Sequence, residues 1–95
     1  MGLLTLDKSQ YKAYRDQQLL DINQNEFDIL WVLSTHPDRI FTEEDIAVKL
    51  KEEYYELKEF SIRQSIDALQ QKLSLQNIRL MTNKGFKIEF QPRLS

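Results

Sequence analysis

Apolar positions along this chain change their period twice. Leu3–Leu6, Tyr11–Arg15 and Gln18–Ile22 are short runs separated by the polar clusters Asp7–Gln10 and Asp16-Gln17, which predicts a small antiparallel sheet. From Asn23 the spacing becomes helical: Phe27, Leu30, Trp31 and Ser34 share one face, and Ile29 and Leu33 widen it. Asn23 and Glu26 stand at capping-box spacing, and His36-Pro37-Asp38 stops the helix because proline cannot continue the hydrogen-bond ladder. Ile40-Phe41 reads as a short extended segment. Thr42 is placed to cap a second helix, with Glu43-Glu44-Asp45 in the first turn, where the helix dipole favours acids. Ile46, Ala47 and Leu50 are its expected buried stripe. Ser61 is expected to cap a third helix reaching Leu73, with Gln64 at the box position and Ile62, Ile66, Leu69 and Leu73 as a narrow apolar line. The period then returns to two: Ile78–Met81 and Phe86–Phe90 flank Asn83-Lys84-Gly85, predicting a tight hairpin with a basic tip.

Strands, three helices and a closing hairpin predict an α+β fold, a winged helix-turn-helix. Its parts are an N-terminal antiparallel sheet (1–22), a three-helix core (23–77) and a C-terminal β-hairpin wing (78–90), within one domain spanning 1–95. A fold of this layout lays its third helix in a DNA groove and its wing on the phosphates. Ninety-five residues suffice for one core without metal or disulfide, and the absence of cysteine excludes both a disulfide framework and a thiolate metal site. The longest apolar run is Ile29–Leu33, far short of the roughly 20 residues of a membrane span, and the N-terminus lacks a signal-peptide pattern. A cytoplasmic protein is expected.

The formal net charge of −2 and pI near 5.4 run against non-specific nucleic-acid affinity, which phosphate neutralisation supplies. The distribution matters more than the sum. Acids gather at Glu43-Glu44-Asp45 and across Glu52–Glu59, whereas from Ile78 onward Arg79, Lys84, Lys87 and Arg93 face a single acid, Glu89. The wing end is basic on an acidic body. His36, the only histidine, sits at a helix stop and suits a capping or dipole role. It has no partner signature for catalysis and no co-ligands for a metal, and no Gly-rich phosphate loop or nucleophile elbow is visible. No enzyme activity, cofactor or metal is expected. Tyr54, Tyr55, Leu57 and Phe60 are either a partner patch or lids on the core, with core expected for two of them.

The residues between Leu4 and Phe90 resemble the winged-helix effector domain of OmpR/PhoB-type response regulators. Ile22-Asn23-Gln24-Asn25-Glu26-Phe27-Asp28-Ile29-Leu30 stands in place of that family's Leu-Thr-x-x-Glu-Phe-x-Leu-Leu opening. His36-Pro37-Asp38-Arg39-Ile40-Phe41-Thr42-Glu43-Glu44-Asp45-Ile46 matches its His-Pro-x-Arg-Val-Phe segment. Ile66-Asp67-Ala68-Leu69-Gln70-Gln71-Lys72-Leu73 matches its recognition helix, and Thr82-Asn83-Lys84-Gly85-Phe86 its wing.

The departures fall on positions that face DNA in the family. Phe60, Asp67, Ala68 and Gln70 replace customary arginines, Thr82 replaces the wing arginine, and Lys51 replaces a tryptophan closing the second helix. An aspartate at 67 repels any phosphate it faces. The resemblance implies a transcriptional regulator of a two-component system that contacts duplex DNA through Arg63, Gln64, Ser65, Gln71, Lys72, Thr82, Lys84 and Lys87. Glutamine can read adenine edges, and lysine neutralises phosphate without reading sequence. A homodimer or a partner in the transcription machinery stands beside DNA; neither a membrane nor a small-molecule substrate is expected. The acidic pI, Asp67 and the missing arginines carry the alternative, a degenerate winged helix serving protein–protein contact.

Overall fold

The computed structural model describes residues 3–53 and 55–95, so Tyr54 lies outside the described residues. Three strands open the chain: β1 (Leu4–Asp7), β2 (Lys12–Arg15) and β3 (Gln18–Leu19). Leu6 pairs with Ala13 and Leu4 with Arg15 in the antiparallel β1–β2 ladder. Alternation turns Leu4, Leu6 and Ala13 inward, where they are fully buried. Asp16 and Gln17 both have positive φ, 51° and 72°, as a two-residue hairpin link between twisted strands demands.

Helix α1 (Gln24–Ser34) begins with the expected reciprocal cap. Asn23 Oδ1 accepts the Glu26 amide, and Glu26 Oε1 accepts the Asn23 amide, each at 2.9 Å. Phe27, Ile29, Leu30 and Leu33 are wholly buried, and the Phe27 ring stacks on Trp31 at 6.0 Å and meets the Tyr11 ring edge-on at 5.7 Å. Lys8 reaches Asp28 at 3.8 Å and lies over the Trp31 ring, so the β1–β2 turn is fastened to α1 by both polar and apolar contacts. The expected cap of α2 (Glu43–Glu53) also forms, between Thr42 Oγ1 and the Asp45 amide. Beyond α2, Leu57 packs on the core, and Tyr55 donates its hydroxyl to Asp28 Oδ2 at 2.7 Å; Phe60 instead is 73% exposed.

Helix α3 (Glu59–Ser74) is capped three residues earlier than expected. Lys58 is its N-cap and offers no side-chain bond, so Ser61 lies inside the first turn instead of capping it. Glu59 in that turn complements the dipole, a contribution that does not need a hydroxyl cap. Ile62, Ile66, Leu69 and Leu73 form the buried line as expected. The helix ends through Asn77, in the left-handed region at φ 60°, with the Gln76 and Ile78 amides returning to the Leu73 carbonyl.

The wing is a hairpin held by few bonds. Continuous strands over Ile78–Met81 and Phe86–Phe90 do not form; Phe86 makes isolated bridges to Met81 and to Phe41. Phe86 lies between the two partners: its own N–H and C=O exchange bonds with Phe41, at 2.8 and 2.7 Å, while on the Met81 side the bonds come from its neighbours, Lys87 N–H to Leu80 C=O at 2.8 Å and Thr82 N–H to Gly85 C=O at 2.7 Å. Alternation survives nonetheless, with Ile78, Leu80, Phe86 and Ile88 buried. After buried Pro92, a strand that was not expected, β4 (Arg93–Leu94), returns parallel to β1 and completes a sheet of order β3-β2-β1-β4. One core joins this sheet, all three helices and the wing.

Candidate nucleic-acid interface

The outward side of α3 exposes Phe60, Arg63, Gln64, Asp67 and Gln71, with Ser65, Ala68, Gln70 and Lys72 half-buried along its flanks. This follows from the helical period, since burying Ile62, Ile66, Leu69 and Leu73 turns the intervening positions to solvent. The wing is pinned against the same helix. Gln70 Oε1 accepts the amides of Leu80 at 2.6 Å and Met81 at 3.2 Å, while its Nε2 donates to the Ile78 carbonyl and to Ser74 Oγ, each at 2.9 Å. Helix face and hairpin therefore form one continuous surface.

The wing tip is shaped by Thr82. Its hydroxyl donates to the Gly85 carbonyl at 3.0 Å and accepts the amides of Lys84 and Gly85, each at 3.1 Å. Lys84 is left exposed at the apex, with Lys87 half-buried behind it. Gly85 has φ 152°, and a β-carbon there would run into the Phe41 carbonyl oxygen, so this position needs glycine.

Among the residues read from the sequence as DNA contacts, Arg63, Gln64 and Gln71 are exposed on the helix, Ser65 is half-buried, and Lys84 and Lys87 lie on the wing. Two carry internal duties as well. Lys72 Nζ sits 2.8 Å from Glu26 Oε1, a carboxylate 2% exposed, and the Thr82 hydroxyl is spent on the turn. Arg63 is itself paired, its Nε 3.3 Å from Asp67 Oδ1 and its Nη1 3.9 Å from Glu43 Oε2. Sequence reasoning gave Asp67 only a repulsive part and Gln70 none. The spacing of Arg63 and Asp67, four apart on a helix, was a usable signal for their pairing; nothing local marks Gln70 as the wing fastener. Of the described residues of that group, Leu57 packs against the core, half-buried Tyr55 is held through its hydroxyl by Asn25 and Asp28, and Phe60 is exposed beside Arg63 and Gln64.

Among the described residues no helix is long and apolar enough to cross a membrane. The chain is 31% identical over 93 residues to the heme response regulator HssR of Staphylococcus aureus (strain bovine RF122 / ET3-1), covering 94% of this chain and 42% of that protein. It thus spans less than half the length of this relative. Its structure is similar to the RstA DNA-binding domain of Klebsiella pneumoniae in complex with the RstA box, with a TM-score of 0.70, 26% identity and coverage of 93% and 92% of the two chains. It is also similar in fold to the C-terminal domain of the nisin resistance regulator NsrR, with a TM-score of 0.78 at 18% identity and 95% coverage of both. Residues 16–88, from the β2–β3 turn through the wing, match the family described as transcriptional regulatory protein, C terminal, and the chain belongs to that family of winged-helix domains.

Proposed function

We propose that this chain is the DNA-binding effector domain of a two-component response regulator, acting in the cytoplasm. It binds duplex DNA through α3 in the major groove and the wing on the flanking backbone. The observation that carries the reading is the joint surface of α3 and the hairpin. Gln70 locks the two elements together, so that Arg63, Gln64 and Gln71 on the helix and Lys84 on the tip meet a duplex as one rigid unit. The relative solved on its RstA box, at 26% identity, supports the same partner. Affinity should come chiefly from Lys84 and Lys87, because the charges of Arg63 and Lys72 are shared with carboxylates.

The test is titration against a random-sequence duplex at about 50 and 200 mM salt. Binding should weaken steeply, with a log–log slope of about −0.9 for each phosphate neutralised. A chain that binds no duplex at low salt is not a DNA reader. In that case a module for protein–protein contact is the better account. That second reading draws on the exposed Phe60 and on the net charge of −2.

A further inference from the structure

Arg63 is held from three elements at once. Its Nε lies 3.3 Å from Asp67 Oδ1, one turn along α3. Its Nη1 lies 3.9 Å from Glu43 Oε2, in the first turn of α2. Its guanidinium carbon is 6.0 Å from the centre of the Phe86 ring, in the wing. Arg63 and Asp67 are each about half-exposed, at 51% and 52%, and ion pairs in that setting contribute little to stability. The arrangement has a better use in recognition.

Asp67 occupies Nε, whereas Glu43 stands beyond hydrogen-bond reach. The two terminal nitrogens of Arg63 are therefore without a hydrogen bond among the described residues, although the side chain is anchored. Arg63 is the fifth residue of α3, in the N-terminal half of the helix, the part that meets base edges when a helix lies in the major groove. One positive charge flanked by two carboxylates is a poor clamp for phosphate, since each carboxylate repels the backbone. The same guanidinium remains a good donor to a neutral base. Guanine presents two acceptors side by side, O6 and N7, which match an arginine fork. We propose that Asp67 is a positioning residue that fixes Arg63 for bidentate reading of a guanine in the major groove, so that the pair supplies sequence preference and not bulk affinity. The inference rests on the DNA-binding reading above. It gives Asp67 a second effect beside repulsion: it penalises phosphate contact while orienting the base reader.

The experiment begins with a duplex enriched from a random-sequence library by the wild-type chain. Each guanine in it is then replaced singly by 7-deazaguanine, which keeps base pairing and O6 but removes the N7 acceptor. One position should cost the wild type roughly 5- to 150-fold in affinity. Arg63→Ala should be indifferent to the replacement at that position. Asp67→Asn, at an exposed site where the fold tolerates change, should shrink the penalty there by about fivefold or more while binding random duplex at least as well as wild type. An unaltered penalty in Asp67→Asn would overturn the proposal, because the pair would then be an incidental surface contact. So would an Arg63→Ala chain that loses affinity equally for every duplex, which marks a phosphate contact. If the library enriches nothing and no duplex is bound, the DNA-binding reading itself fails and takes this proposal with it.

Discussion

Lys72 and Glu26, 46 residues apart in sequence, meet at 2.8 Å, and the same carboxylate oxygen accepts the Asn23 amide that closes the α1 cap. One acid thus caps the start of α1 and ties it to α3. Replacing Lys72 by Met leaves Glu26, 2% exposed, with one amide partner for its charge. Because the Lys72 side chain is 41% exposed, water can enter, and the expected loss is about 1–3 kcal/mol, below that of a fully buried pair. Glu26→Gln combined with Lys72→Met should recover much of it, since glutamine also serves a capping box. Urea unfolding of the single and double variants checks this. The salt slope on duplex DNA should not move in Lys72→Met; a slope flatter by about 0.9 would show instead that Lys72 meets a phosphate.

Gln70 bonds to Ser74, Ile78, Leu80 and Met81, which makes it the clasp between helix and hairpin. Gln70→Leu keeps a similar volume but strands two amides and a carbonyl of the wing. The expected cost is about 2 kcal/mol, with faster hydrogen exchange at the Leu80 and Met81 amides and little change within α3. Equal protection of those amides in variant and wild type would mean that the bridges of Phe86 alone hold the wing.

What could be read in advance was what is local. The Asn23–Glu26 and Thr42–Asp45 caps, the α1 core face and the Ile62-to-Leu73 line each depend on residues three or four apart. What could not be read depends on distant pairing. Phe86 of the wing pairs with Phe41, in the segment before α2, as well as with Met81, and β4 exists because Leu94 reaches Leu6, 88 residues away. Ser61 misled because a good capping residue also fits inside a first turn when an acid precedes it. At the candidate site, residue types marked which face of α3 is polar. They did not distinguish a polar side chain facing solvent, such as Gln71, from one consumed by the fold, such as Gln70.

Gly85 holds the wing tip against the segment before α2. Gly85→Ala places a side chain at φ 152° and into the Phe41 carbonyl, so backbone must shift and the Phe41–Phe86 exchange of bonds must weaken. A loss of about 1–3 kcal/mol is expected. Thr82→Val, which removes only the hydroxyl of the turn, should cost about 1 kcal/mol. Thermal melts of the two variants would rank them. A Gly85→Ala chain as stable as wild type would show that the hairpin can be re-seated without loss.

Lys84 and Lys87 offer the clearest separation of affinity from specificity. Lys84 is exposed at the apex, and its backbone amide, not its side chain, is used by the Thr82 turn. Lys87 bonds Leu80 through its amide in the same way. Replacing both by Ala therefore removes two charges and leaves these backbone bonds of the wing in place, so stability should change by less than about 0.5 kcal/mol. Binding to all duplexes should weaken alike, and the log–log salt dependence should flatten by about two units of slope, one per lysine. The guanine preference assigned to Arg63 should persist at low salt, because base readout and phosphate attraction come from different side chains. Titrating the double variant against its enriched duplex and a random one, at two salt concentrations, measures both quantities together. An unchanged slope would remove the wing from the DNA backbone. A slope that flattens together with lost sequence preference would mean that the wing positions α3 as well as attracting the duplex.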